Sequence, residues 1–525
     1  MSVFIILLAL SARIIQLLFY LDSFFDTTFQ VIATENLTKG HGVSTAIVQA
    51  ADLSAPLYQP LINWPPGYSL LLYPFYIICG HNYLIACFII DILAAAAIIL
   101  LTRRILSLLD LPVWLINLYT LLTGFFIYYF YYTGSTDSIS IAFFLGAITT
   151  LLGLVKMKGR WIRPAVTAGL CLFLSASLKY LYFPVVFTIP VFFFLYGYQN
   201  KLAGIRKASL LILGIVAAGI GILYMYQKSI AGSGTYISST GRGIYPEQLL
   251  RMHPLLPASF VTLNSLRKLP VVPRDHIIDI FRIVSLLLLV TLIVIGTKAF
   301  LRTGFKQASL QKTFLYLTLK LCVAITVVLV LLSLFVYREI IPPDRWWTYV
   351  EDARYYGLAD IMIHLSVFLL FYHYRKKASG FLKKFLLVLP FLLVPEAIRG
   401  FTFTAIRVLK SGKEKYYWQQ EGEFQGYAAR IVNQKKDSLH VQRAVVSGSL
   451  YYANYRASVH QQIPVLEDLA ALNEPSALKT KEPVILLVII DEKATGGFSG
   501  FINNPATELA GKLNGFYFYT LYVTP

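Results

Sequence analysis

The sequence predicts an all-α polytopic membrane protein of about eleven transmembrane helices, followed by a small C-terminal α/β domain outside the membrane. Three observations lead there. Of the 525 residues, 57% are hydrophobic and only 14% are charged, where soluble domains carry roughly a quarter charged residues. Several runs stay apolar for about 18 residues or more, the length a helix needs to cross a hydrocarbon core. Lysine and arginine also gather in every second connection between these runs, as cytoplasmic loops require.

The predicted spans are 2–20, 82–101, 112–132, 138–155, 162–179, 182–198, 208–226, 279–297, 313–336, 357–373 and 381–402. The N-terminal MSVFIILLALSARIIQLLFYL has no basic leader and no small-residue cleavage site, so it reads as a retained first span rather than a signal peptide. The basic connections hold Arg103 and Arg104; Lys156, Lys158, Arg160 and Arg163; Lys201, Arg206 and Lys207; Lys298, Arg302, Lys306 and Lys312; and Arg375, Lys376, Lys377, Lys383 and Lys384. This pattern puts the N-terminus inside and the tail outside. It also accounts for most of the net charge of +19 through topology and anionic headgroups, so no nucleic-acid partner is expected.

The connections on the opposite side are longer and chemically richer. They are the first outer loop 21–67, the TGSTD of 133–137, the long loop 227–278 and the segment 337–356. This asymmetry predicts that the protein works at its outer face. From about residue 403 the polarity becomes ordinary. An amphipathic stretch (EGEFQGYAARIVNQ) precedes β-like runs at RAVVSG, PVILLVII and FYFYTLYV, which predicts a small α/β domain. The expected division is therefore 1–402 for the membrane domain and 403–525 for the outer one. Cys79, Cys87, Cys171 and Cys322 show no CxxC spacing and no histidine partner, so neither disulfides nor a metal site is expected. No phosphate loop, G-x-G-x-x-G element, catalytic triad or internal repeat is present.

Asp26 follows the first span within a few residues. A carboxylate at that low-dielectric boundary suits a general base. An aspartate before Thr-Thr-Phe is also good N-cap chemistry, and taken alone the residue favours that reading. Further along come Gly40 and Gly42, then Pro65, Pro66, Gly67 and Tyr68 before an apolar stretch. The two prolines fix φ and bar an earlier helix start.

This order of motifs resembles the type-C membrane glycosyltransferases, in the branch of the protein mannosyltransferases and the lipid A aminoarabinose transferase. The resemblance covers about the first 370 residues. It implies that Asp26 is the catalytic base and that the TGSTDSISIAFF segment supplies a second acid, Asp137. Helix capping by Ser135, Thr136 or Asp137 is the competing reading. Lys179, in SASLKYLYFP, maps onto a lysine that binds donor phosphate, although a lysine between apolar runs can also snorkel. Arg354 and Tyr355, in YVEDARYYGLAD, map onto an Arg-Tyr element at the membrane edge. A guanidinium there can hold a phosphate bidentately, or pair with Glu351, Asp352 or Asp344. Tyr68 and, in the long loop, Arg242 complete the expected donor-binding set. No Asp-x-Asp occurs in the first loop, which counts against a metal-dependent reading.

The resemblance implies an inverting glycosyltransferase of the bacterial inner membrane, with its site and tail on the periplasmic side and no cofactor. It would take a polyprenyl-phosphate-linked sugar and a lipid, glycan or protein acceptor, amid membrane lipids. Two other classes stay open: a transporter or flippase of lipid-linked saccharide, and a non-catalytic envelope scaffold. The expected absence of charges at mid-membrane argues against transport.

Overall fold

The computed structural model describes residues 2–19, 25–126, 134, 136–157, 160–232, 244, 246, 255–260, 309–335, 353–376, 378–410, 417–449, 451–459 and 463–525, with isolated helical positions between 280 and 298. The first elements are α1 (Ser2–Phe19), α2 (Phe25–Thr38), the hairpin β1 (Ser44–Gln49) and β2 (Asp52–Pro60), and α3 (Gly67–Ile78). Then come α4 (Tyr83–Leu108), α5 (Val113–Phe125), α6 (Thr136–Met157), α7 (Ile162–Leu178), α8 (Tyr182–Val185), α9 (Thr188–Gln199) and α10 (Ala203–Ala231). After the long loop follow α11 (Leu310–Phe335), α12 (Gly357–Leu369), α13 (Gly380–Val388) and α14 (Val394–Leu409).

Among the described residues, seven helical stretches are long and apolar enough to cross a membrane. At about 1.5 Å per residue, the 18 residues of α1 reach roughly 27 Å and the 26 of α4 roughly 39 Å. These stretches match predicted spans to within about seven residues at either end. Shorter apolar helices, α5 and α7, match two more. The predicted span 279–297 is described only at scattered positions, and 381–402 is interrupted by a 3₁₀ turn at Leu389–Leu393. Helix α3 is absent from the prediction. Its 12 residues rise only about 18 Å, short of the roughly 30 Å of a hydrocarbon core.

The bundle has two chemically different ends. At one, Lys156 Nζ meets Asp110 Oδ1 at 2.5 Å and the Leu108 carbonyl at 2.9 Å. Gln311 Nε2 reaches Asp110 Oδ2 at 3.3 Å and His373 Nε2 meets the Leu109 carbonyl at 3.0 Å. This end gathers the basic connections. Arg13 is nevertheless buried within the bundle, where its guanidinium donates to the Thr123 carbonyl and to Gln16. Asp91, Asp360 and His364 are buried in spans as well. The expectation of no charged groups at mid-membrane is therefore incorrect. Each is tolerated because it meets a polar partner inside the bundle instead of lipid.

The tail holds α15 (Tyr417–Leu439), β3 (Arg443–Gly448), α16 (Tyr451–Ser458), β4 (Val465–Leu466), β5 (Val484–Asp491), β6 (Thr507–Leu513) and β7 (Phe516–Val523). Its predicted strands correspond to β3, β5 and β7. The sheet is larger than the tail, with seven strands in the order β2-β1-β4-β3-β5-β7-β6. Strand β1 runs parallel to β4, pairing Ile47 with Val465 and Val48 with Leu466. The first outer loop thus donates two strands across the expected boundary at 403. From residue 25 on it is structured, and α2 is buried between α3 and α16. One apolar core joins Phe29, Val31 and Ala33 of α2, Leu72 of α3 and Cys87 of α4 to Ala428, Val446, Tyr455 and Phe518 of the tail.

Candidate functional site

The site lies at the bundle end opposite the basic connections and is built from chain segments far apart in sequence. Helix α7 stops at Leu178 because Lys179 takes an extended backbone, with φ −152° and ψ 122°. That break aims the lysine side chain at the start of α6, where its ammonium forms an ion pair with Asp137. Both side chains are only 11% exposed. Asp137 sits in the first turn of α6, where the helix dipole also favours a negative charge.

A 3₁₀ turn, Ala353–Tyr356, carries the third contribution immediately before α12. Lys179 Nζ lies 4.2 Å from the centroid of the Tyr355 ring. The Arg354 guanidinium carbon is 4.8 Å from that centroid, and Arg354 Nη2 donates to the Tyr355 hydroxyl at 3.1 Å. Tyr355 therefore contacts two cations. With Asp137 included, the cluster carries a net charge of about +1 in a buried setting. Asp137, Lys179, Arg354 and Tyr355 meet in space, although Asp137 and Arg354 are more than two hundred residues apart. Glu351, Asp352 and Asp344, the alternative partners of Arg354, lie outside the described residues.

The first outer loop is fastened onto this cluster. A Cβ on Gly67 would overlap the Ser177 carbonyl, so the Pro-Pro-Gly-Tyr turn touches α7 two residues before Lys179 only because the position is glycine. Tyr180 Oη donates to the Ile62 carbonyl at 2.9 Å, and Gln227 Nε2 donates to Tyr180 Oη at 2.7 Å. Tyr68 is fully buried in the core shared by α2, α3, α4 and the tail. Asp26 is the second residue of α2, and its side chain lies outside the described residues. Arg242 also lies outside them.

Sequence reasoning missed two further polar groups. Asp91, the ninth of the 26 residues of α4, accepts a hydrogen bond from the Gly134 N–H at 2.6 Å. Asp360 of α12 accepts one from Ser259 Oγ at 2.6 Å, and His364, one turn on, contacts the Ser259 carbonyl. A lone aspartate inside an apolar run was the available signal in both cases. Among the described residues, no three His, Cys, Asp or Glu side chains are grouped as metal ligands.

No protein-family model and no curated protein matches the sequence. Solved structures do match the fold. The oligosaccharyltransferase of Archaeoglobus fulgidus, in complex with zinc and sulfate, is 12% identical, with 94% of this chain and 68% of that one covered and a TM-score of 0.51. The same archaeal enzyme, tethered to an acceptor peptide containing an NVT sequon, gives 11% identity, 99% and 73% coverage and a TM-score of 0.50. ArnT from Cupriavidus metallidurans, bound to undecaprenyl phosphate, is covered over 97% of its length at 12% identity, with a TM-score of 0.44, too low to argue from. At such identities the likeness concerns architecture. The chain has the fold of the type-C membrane glycosyltransferases.

Proposed function

We propose that this protein transfers a sugar from a polyprenyl-phosphate donor to a lipid, glycan or protein acceptor at the outer face of a bacterial inner membrane. The observation that carries the reading is the buried meeting of Asp137, Lys179, Arg354 and Tyr355 at the bundle end away from the basic loops. A sugar phosphodiester carries one negative charge, which the cluster's net charge of about +1 complements. When the bond between the sugar and the phosphate oxygen breaks, the departing lipid phosphate gains charge. Lys179 and Arg354 then act where charge develops, in a low dielectric, which is the effective form of electrostatic catalysis. Phosphate binding is thus assigned to side-chain cations rather than to a metal.

In this reading Asp137 holds Lys179 in place through their ion pair, and Tyr355 contacts both cations. Asp26 removes the acceptor proton, giving an inverting displacement without a covalent enzyme intermediate, as the family resemblance implies. Tyr68 and Arg242 remain assigned to the donor side by that resemblance.

The test uses the full chain in lipid vesicles with radiolabelled polyprenyl-phosphate sugar and an acceptor extract. Asp26→Asn is expected to abolish transfer while donor binding persists. Normal turnover by that variant removes Asp26 from its role. Movement of labelled lipid across the vesicle without sugar transfer would favour a flippase, and neither activity would favour a scaffold.

A further inference from the structure

Gly134 is gripped on both sides of its backbone. Its N–H donates to Asp91 Oδ2 of α4 at 2.6 Å, and its carbonyl accepts from Thr27 Oγ1 of α2 at 2.9 Å. Both side chains are buried, 3% exposed for Asp91 and 5% for Thr27. The residue stands at φ +72°, and an added Cβ would come within 2.5 Å of Thr27 Cγ2. Only glycine satisfies both the backbone angle and the close approach. A carboxylate inside a span is costly, and among the described residues this one takes its hydrogen bond from the Gly134 N–H.

The neighbours of the grip explain its value. Thr27 adjoins Asp26, and Gly134 stands three residues before Asp137. We infer that Asp91, Gly134 and Thr27 form a positioning clamp that sets the first turn of α2 against the start of α6. It thereby places the base of the proposed reaction relative to the Asp137–Lys179 pair. The inference rests on the glycosyltransferase reading for its catalytic consequence, while the clamp itself is independent of it. Asp91 acts as a hydrogen-bond acceptor, so an asparagine, whose amide oxygen also accepts, serves in its place.

The experiment compares the wild-type chain with Asp91→Asn, Asp91→Leu, Thr27→Val and Gly134→Ala in lipid nanodiscs, by two readouts. The first is sugar transfer resolved into kcat and KM for the donor. The second is amide hydrogen exchange of segments 25–38 and 136–145, which reports local opening. Gly134→Ala and Asp91→Leu are expected to lower kcat about 100-fold, the scale of a misplaced catalytic group, with donor KM within about twofold. Both segments should exchange faster together, Thr27→Val should lie between wild type and Gly134→Ala, and Asp91→Asn should retain most of kcat. Equal loss in Asp91→Asn and Asp91→Leu would overturn the clamp, because the charge itself would then be required. Unchanged exchange of either segment in Gly134→Ala would overturn it too. If the wild-type chain transfers no sugar, the functional reading fails, and the exchange measurement alone decides the clamp.

Discussion

Removing one partner of the Asp137–Lys179 pair should cost far more than removing both. The two side chains are 11% exposed, so each charge is largely shielded from water and depends on the other. Breaking such a buried pair from one side costs about 3–5 kcal/mol, because an uncompensated charge stays behind. Lys179→Met also forfeits the contact with the Tyr355 ring, worth about 2 kcal/mol when desolvated. In the double variant, Asp137→Asn with Lys179→Met, neither member of the pair leaves an uncompensated charge behind, and most of the penalty disappears. The expected coupling is about 2–3 kcal/mol. Unfolding by dodecyl sulfate in mixed micelles, followed by circular dichroism, measures all four corners of the cycle. The functional arm separates the partners. Lys179→Met should weaken polyprenyl-phosphate binding about 10- to 100-fold, the loss of one charge-assisted hydrogen bond. Asp137→Asn should leave binding equal or tighter, since the lysine loses its internal competitor, while turnover falls. Additivity within about 0.5 kcal/mol would refute the pairing. Weakened binding in both single variants would refute the division of roles.

Arg354→Lys keeps the charge but loses the planar fork, so donor affinity should fall about tenfold, or about 1.4 kcal/mol; full affinity in a binding titration would show that charge alone suffices. Gly67→Ala forces a Cβ against the Ser177 carbonyl and should destabilise the fold by about 1–3 kcal/mol, read in the same micelle titration, with no change expected only if the turn does not touch α7. Deleting residues 417–525 strips β4 from β1 and opens the shared core. Limited proteolysis should then cleave within 44–60 under conditions where the intact chain resists, and a resistant hairpin would show that it folds without the tail.

What the sequence determined by itself was set locally. An apolar run long enough to cross a bilayer has no other stable course than a helix, because lipid offers its backbone no hydrogen bonds. The spans of α1, α4, α6 and α11 could accordingly be read from composition, and the basic connections from their charge. The short helix α3 escaped because 12 apolar residues before a Gly-His turn carry no span-length signal. Pairing was not local. Strand β1 meets β4 across more than four hundred residues, and nothing within STAIVQ specifies that partner. The same holds at the site, where the family resemblance named Asp137, Lys179, Arg354 and Tyr355 one by one. Only the packing of α6, α7 and the turn before α12 brought them together. Asp91 and Gly134 belonged to no motif, and their significance came from a hydrogen bond between α4 and the turn before α6. Whether a buried charge is a defect or a device depends on its partner, and partners are chosen by tertiary structure.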